Sequence, residues 1–239
     1  MVKKASAKKK APASRKKAAP KEPSLETMRD DLLRATLPHV PFDGWTKAAL
    51  LRGASEAGYA STDAMRAFPD GARDMIPWHA RHADRMMMQQ LEKLDLPSMR
   101  IRDRIATAVR VRLEQNAGDK EAIRRAMTFL AMPQNAALAT QSLYRTVDDM
   151  WFAAGDTATD WNFYTKRLLL AGVYSSTLLY WLNDRSEDHA DTWAFLDRRI
   201  ENVMQVPKLT GRVSGMLEKC AGFLPRQARA FRDFRPRSG

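Results

Sequence analysis

From Ser24 to about residue 224, apolar residues recur at three- and four-residue steps, and no stretch sustains the strict alternation that a half-buried strand needs. That pattern leaves little room for a sheet and predicts an all-α chain. Helices are expected near 25–38, 45–57, 61–67, 71–95, 99–116, 119–130, 134–154, 160–183, 187–205 and 208–224, about nine or ten in all. The breaks between them carry the right punctuation: Pro41 with Asp43-Gly44, Gly58, Pro69-Asp70-Gly71, Pro97-Ser98, Gly118, Pro133 and Gly155. The most apolar run, "LLLAGVYSSTLLYWL" at 168–182, is 15 residues long and interrupted by Gly172, Ser175, Ser176 and Thr177. It falls short of the roughly 20 residues a membrane span requires. We read it as a buried helix.

The net charge of +12 is distributed unevenly. Residues 1–21 contribute +9 and residues 208–239 contribute +6, which leaves −3 for the middle of the chain. A slightly acidic core with two basic ends suits contact with an anionic surface better than a DNA-binding face. The first 23 residues form a Lys/Ala/Pro tail with no apolar side to bury, expected to be disordered. The tail lacks the apolar core of a secretory signal and the Arg/Ser pattern of a transit peptide. The single cysteine, Cys220, excludes an internal disulfide. The organisation expected is a tail (1–23), a helix-turn-helix-like head (24–70), a helical bundle (71–206), an amphipathic C-terminal helix (207–226) and a basic end (227–239).

In the head, "GWTKAALLRGASEAGYASTDAMRAFPDGARDMI" (44–76) resembles the helix-turn-helix of TetR-type regulators. There the small Ala54 and Ala57 would let two helices cross closely. Its recognition helix would open on Ser61, Thr62 and Asp63, with Arg66 as its one cation. A carboxylate facing phosphates and a lack of Lys/Arg argue against specific nucleic-acid binding.

Nothing in the chain calls for catalysis, a metal or a cofactor. His79 and His82 are one helical turn apart, but no carboxylate-x-x-His motif accompanies them, and we read them as partly exposed polar residues. No phosphate loop, CxxC or nucleophile elbow is present. Asp148 and Asp149 are adjacent, so on a helix they point about 100° apart and make a poor acid/base pair.

Toward the C-terminus, Leu209, Val213, Met216, Leu217, Cys220 and Leu224 share one helical stripe flanked by Lys208, Arg212 and Lys219, with Phe223 beside it. An Arg-rich end follows. Such a stripe often packs on the protein's own core. The adjoining cations favour contact with a membrane surface instead, through Leu209, Val213, Met216, Leu217, Phe223 and Leu224.

The stretch "VDDMWFAAGDTATDWNFYTKR" (147–167) crowds five aromatic rings and four aspartates together. Gly155 should end one helix and Thr159 should cap the next. Asp160, Phe163, Tyr164 and Arg167 then fall at i, i+3, i+4 and i+7 on one face, an aromatic-and-charge stripe suited to docking a protein. With its VDDMW, AGD, TDxNxYTxR and DTWxFLxxR elements, the segment 132–204 closely resembles the ninth coenzyme Q biosynthesis protein family and its bacterial members.

That resemblance implies a TetR-like fold without DNA binding, a pocket for an isoprenoid or quinone-intermediate lipid, and a homodimer. It also implies a C-terminal helix on the membrane and a partner hydroxylase. It assigns partner contact to Met150, Asp160, Phe163 and Tyr164. Candidate lipid-lining residues on the long helices are Met127, Leu130, Leu169 and Val173. The expected function is a non-enzymatic lipid-binding accessory of ubiquinone synthesis, with a TetR-type ligand-responsive regulator as the alternative. The expected place is a bacterial inner membrane's cytoplasmic face, or else the matrix side of the mitochondrial inner membrane.

Overall fold

The computed structural model describes residues 24–156 and 161–203, the side chains of 161–164 excepted. All regular structure among these residues is helical. Helix α1 is Leu25–Thr36, α2 Val40–Asp43, α3 Lys47–Glu56, α4 Ser61–Ala67, α5 Ala72–Leu91, α6 Ile101–Glu114, α7 Lys120–Leu130, α8 Ala136–Ala153 and α9 Trp161–Asn183. A tenth, α10, covers 190–203. The breaks at Gly44, Gly58, Pro69-Asp70-Gly71 and Gly155 fall where expected, and short 3-10 turns at Leu96–Ser98, Ala117–Asp119 and Pro133–Asn135 take up Pro97, Gly118 and Pro133. Pro41, expected in a break, lies inside α2. The C-terminal stripe at 209–224 lies outside the described residues.

The head is built on side-chain caps and one close crossing. Ser24 Oγ accepts from the Thr27 amide at 3.1 Å, and Thr46 Oγ1 accepts from that of Ala49 at 3.2 Å, satisfying donors that a helix start leaves free. Helix α3 crosses α1 at Gly53, where a Cβ would lie 2.7 Å from the Thr36 backbone nitrogen. Gly53 therefore permits the approach of α1 and α3, a different crossing from the helix-turn-helix one between α3 and α4 at which Ala54 and Ala57 are expected to serve. Ala54 is buried beside Gly53, while Ala57 faces solvent at the turn.

Two hydrophobic clusters fill the molecule. The first gathers Leu32, Leu33, Leu50 and Phe68 of the head with Met75, Ile76 and Trp78 of α5 and Ala122 and Ala126 of α7. The second gathers Met87 and Leu91 of α5, Val109 and Leu113 of α6, Val147 and Met150 of α8, Trp181 of α9, and Leu196 and Ile200 of α10. Helix α5 belongs to both, in spite of Pro77 within it. Helix α9 is not the wholly buried helix expected. Leu170, Val173, Tyr174, Leu178 and Trp181 form its inner stripe, but Leu168 and Leu179 on the opposite side are 74% and 51% exposed.

Two corners fix the ends of the long helices. At the end of α8, Gly155 takes φ +81°, which suits glycine, and Arg104 donates to the Ala154 carbonyl at 2.9 Å. Between α9 and α10, the Asp184 carboxylate accepts from the amides of Ser186 and Thr192 and from both their hydroxyls. Burial tends to raise its pKa, but these hydrogen bonds outweigh it and hold the carboxyl well below the usual carboxylate range.

Candidate functional site

A cavity of about 370 Å³ lies among α5, α6, α7, α8 and α9. That is within the range of small-molecule sites, about 300–1,000 Å³. Ile76, Leu113, Ile123, Met127, Leu130 and Leu143 give it apolar walls. Ala131 and Thr140, exposed near the α7–α8 connection, mark its outer end. At its inner end stand His79, Arg112, Asn116, Ser142, Thr146 and Tyr174, all less than a tenth exposed.

Of the residues expected to line a lipid pocket, Met127 and Leu130 do so, whereas Leu169 and Val173 are not among the lining residues. Successive helical residues turn by about 100°, so the cavity face of α9 belongs to Tyr174, Ser175 and Leu178. Val173 packs into the second hydrophobic cluster instead.

A buried ion pair supports the inner end. Arg112 Nε donates to Asp84 Oδ1 at 2.9 Å, with both side chains almost fully enclosed. Thr146 Oγ1 lies 2.9 and 3.1 Å from the two Asp84 oxygens. Arg112 Nη2 donates to the Ala80 carbonyl at 3.2 Å, and Asn116 Nδ2 to the Arg112 carbonyl at 2.7 Å. These contacts satisfy the carboxylate, which a charge removed from water requires.

His79 is not the partly exposed residue anticipated. It is 6% exposed, and its ring sits 5.5 Å from that of Trp45, whose indole donates to the Ala122 carbonyl at 2.9 Å. Burial foremost, then the charge of Arg112 and the proximity of His82, push its pKa down to about 3. His82 instead joins Arg85 and the indole of Trp78 around Asp30. Among the described residues no three His, Cys, Asp or Glu side chains converge as metal ligands.

The Asp149 carboxyl is pushed up to about 6, by burial first and then by the carboxylates of Asp84 and Asp148. The two shifts act oppositely on stability. A neutral buried His79 favours folding above pH 6.5, and that contribution is lost as pH falls from 6.5 toward 3, at up to about 1.4 kcal/mol per unit. Asp149 takes its proton in the folded state near pH 6 but unfolded only near 3.8, so acidification across that window favours folding. Its slope is the smaller because the group is partly exposed and screened. Asp149→Asn should therefore lose roughly 1 kcal/mol per pH unit relative to wild type between pH 6 and 4, and His79→Gln should show the reverse trend. Urea midpoints across that range measure both, and parallel profiles for all three proteins would contradict the assignment.

The 147–167 corner is differently arranged from its expected docking stripe. Met150 is fully buried, on the inner α8 stripe it shares with Val147 and Ala154. Arg167 is 7% exposed and turns inward to Asp148 at 2.6 Å and Asp156 at 3.4 Å. Neither presents a side chain to a partner in this conformation. Asp160 and the side chains of Phe163 and Tyr164 lie outside the described residues. The large apolar groups that do face solvent on α8 and α9 are Phe152, 73% exposed, and Leu168, 74% exposed.

The helix that would read DNA in a helix-turn-helix, α4, offers a single cation. Ser61, Thr62 and Arg66 are the exposed members of α4, and Arg66 is paired with Asp63 at 3.2 Å. No helix among the described residues is long and apolar enough to cross a membrane.

Comparison with known proteins agrees with this architecture. Residues 136–207 match the family profile described as COQ9. The chain is similar to "Ubiquinone biosynthesis protein COQ9, mitochondrial" of Drosophila melanogaster, 34% identical over 82% of this chain and 61% of that protein. It is also similar to the proteins of that name in Rattus norvegicus, 36% identical over 77% and 61%, and Homo sapiens, 34% over 77% and 59%. The chain thus spans about three fifths of the length of the curated relatives it matches. Among solved structures, a TetR transcriptional regulator from Nitrosomonas europaea superposes with a TM-score of 0.61 over 74% of this chain and 98% of that one. At 19% identity that match speaks for the fold alone. The chain is a homologue of the COQ9 proteins, carrying that family's region on an all-α, TetR-like fold.

Proposed function

We propose that the chain is a non-enzymatic, lipid-binding accessory protein of ubiquinone biosynthesis. It takes up a quinone intermediate or related isoprenoid lipid and presents it to a membrane-associated hydroxylase of the demethoxyubiquinone type. The observation that carries this reading is the apolar cavity among α5 to α9, in a chain homologous to proteins named for ubiquinone biosynthesis. The head supports it from another direction: a TetR-like helix whose one cation is tied to its own aspartate is poorly suited to phosphates.

In this reading the protein works as a homodimer, peripheral on the membrane that holds its partner. That membrane is the bacterial inner membrane or, as the relatives' names favour, the mitochondrial one. Its basic C-terminal stripe touches the lipid. The docking surface comprises Asp160, Phe163 and Tyr164 together with the exposed Phe152 and Leu168. The test is native mass spectrometry and organic extraction of the purified chain, with hydroxylase capture measured alongside. A co-purified isoprenoid lipid and loss of capture in Leu168→Lys are the expected results. Lipid-free protein would overturn the first part, and undiminished capture the second.

A further inference from the structure

The inner end of the cavity has more hydrogen-bonding capacity than the protein uses. Tyr174 is 7% exposed and lines the cavity, yet its hydroxyl has no hydrogen-bond partner among the described residues. The same holds for the hydroxyl of Ser142, which is 8% exposed. Arg112 commits Nε to Asp84 and Nη2 to Ala80, which leaves Nη1 without an acceptor among the described residues. These groups open onto the cavity instead of being sealed in protein, and donors gathered at one end of an otherwise apolar wall point to a polar partner that enters the cavity.

The charge of this end decides which partner. The Arg112 guanidinium is balanced by Asp84 at 2.9 Å. His79 is neutral because burial, Arg112 and His82 push its pKa down to about 3. A phosphate or carboxylate head would enter an end with no surplus cation, and a buried anion without a counter-charge is costly. An uncharged oxygen acceptor meets the free donors at no such cost. The apolar walls then suit a tail, leading out toward Ala131 and Thr140.

Resting on the lipid-binding reading above, we infer that the cavity recognises an uncharged oxygen-bearing ring, a quinone carbonyl or phenol, held head-inward by Tyr174, Arg112 and Ser142. The apolar tail leaves by the α7–α8 end. Buried this way, the ring is shielded from solvent, and it must leave the cavity before another protein can act on it.

The test compares two probes on the full chain by titration calorimetry. One is a dimethoxy-methyl-benzoquinone with a ten-carbon tail. The other is decylbenzene, which keeps a ring and tail but has no oxygen. Tyr174→Phe removes only a hydroxyl without a protein partner, so its melting temperature should match wild type. Arg112→Lys keeps the charge facing Asp84 but loses the guanidinium fork. Each should bind the quinone about five- to tenfold more weakly and leave decylbenzene affinity unchanged.

Equal losses for both probes, or no loss for either, would overturn the head-inward assignment while leaving a lipid cavity intact. Wild-type protein that binds neither probe would overturn the lipid-binding reading and this inference together. Dimyristoyl phosphatidylglycerol displacing the quinone, with the same sensitivity to Tyr174→Phe, would overturn the choice of an uncharged head.

Discussion

Arg112→Leu should lose about 3–5 kcal/mol of stability, a fall in Tm of roughly 6–20 °C for a domain of this size. The cost comes less from the contact removed than from what it leaves behind. Asp84 is 3% exposed, and without Arg112 its carboxylate keeps only Thr146 among the polar contacts observed here. The Asn116 amide bonds to the Arg112 backbone and is unaffected by the substitution. Adding Asp84→Leu to Arg112→Leu should recover much of the loss, because two packed apolar groups are a better buried pair than one charge alone. Urea denaturation of the two variants measures this. A single variant within 1 kcal/mol of wild type would mean that Asp84 is not a buried charge.

Trp181→Ala should be comparably damaging, at about 3–5 kcal/mol. The ring is wholly enclosed in the second cluster. His189 meets it edge-on at 5.9 Å, and the Lys120 ammonium lies 4.5 Å from its centroid while donating to the Trp181 carbonyl at 3.0 Å. Its indole nitrogen, however, has no acceptor among the described residues. Trp181→Phe therefore keeps most of the apolar contact and removes an unpaired donor, and should cost less than half as much as the alanine variant. Thermal melts that rank the two substitutions equally would show that the ring's bulk is not what the site requires.

The helices were legible because their boundaries are local chemistry: Pro, Gly and capping residues act on their own neighbours. The arrangement of side chains was less so. His79 stands on the stripe of Met75, Ile76, Ala83 and Met87, and Met150 on that of Val147 and Ala154, so helical periodicity carried a signal that both are buried. Residue type points the other way for His79, as does the resemblance's partner contact for Met150. Arg112 was likewise detectable, a cation on the apolar stripe of Ile105, Ala108, Val109 and Leu113. That it meets Asp84 on α5 depends on tertiary packing, which no spacing in the chain specifies. The error at Leu169 and Val173 is a rotation about the helix axis: α9 is apolar nearly all round, so its sequence does not single out the cavity face. Alignment with Asp160 suggests a surface stripe for Arg167, but the side chain is buried and reaches Asp148 and Asp156, which come from the preceding helix and corner.

The sharing of α5 and α7 between the two clusters gives the head a structural role. His79 forms cavity wall on one side and meets Trp45 on the other, and Trp45 is in turn fastened to α7 through Ala122. The head thus acts as a buttress. It stiffens two of the five helices around the cavity from behind, so the shape of the cavity depends on the head as well as on the bundle.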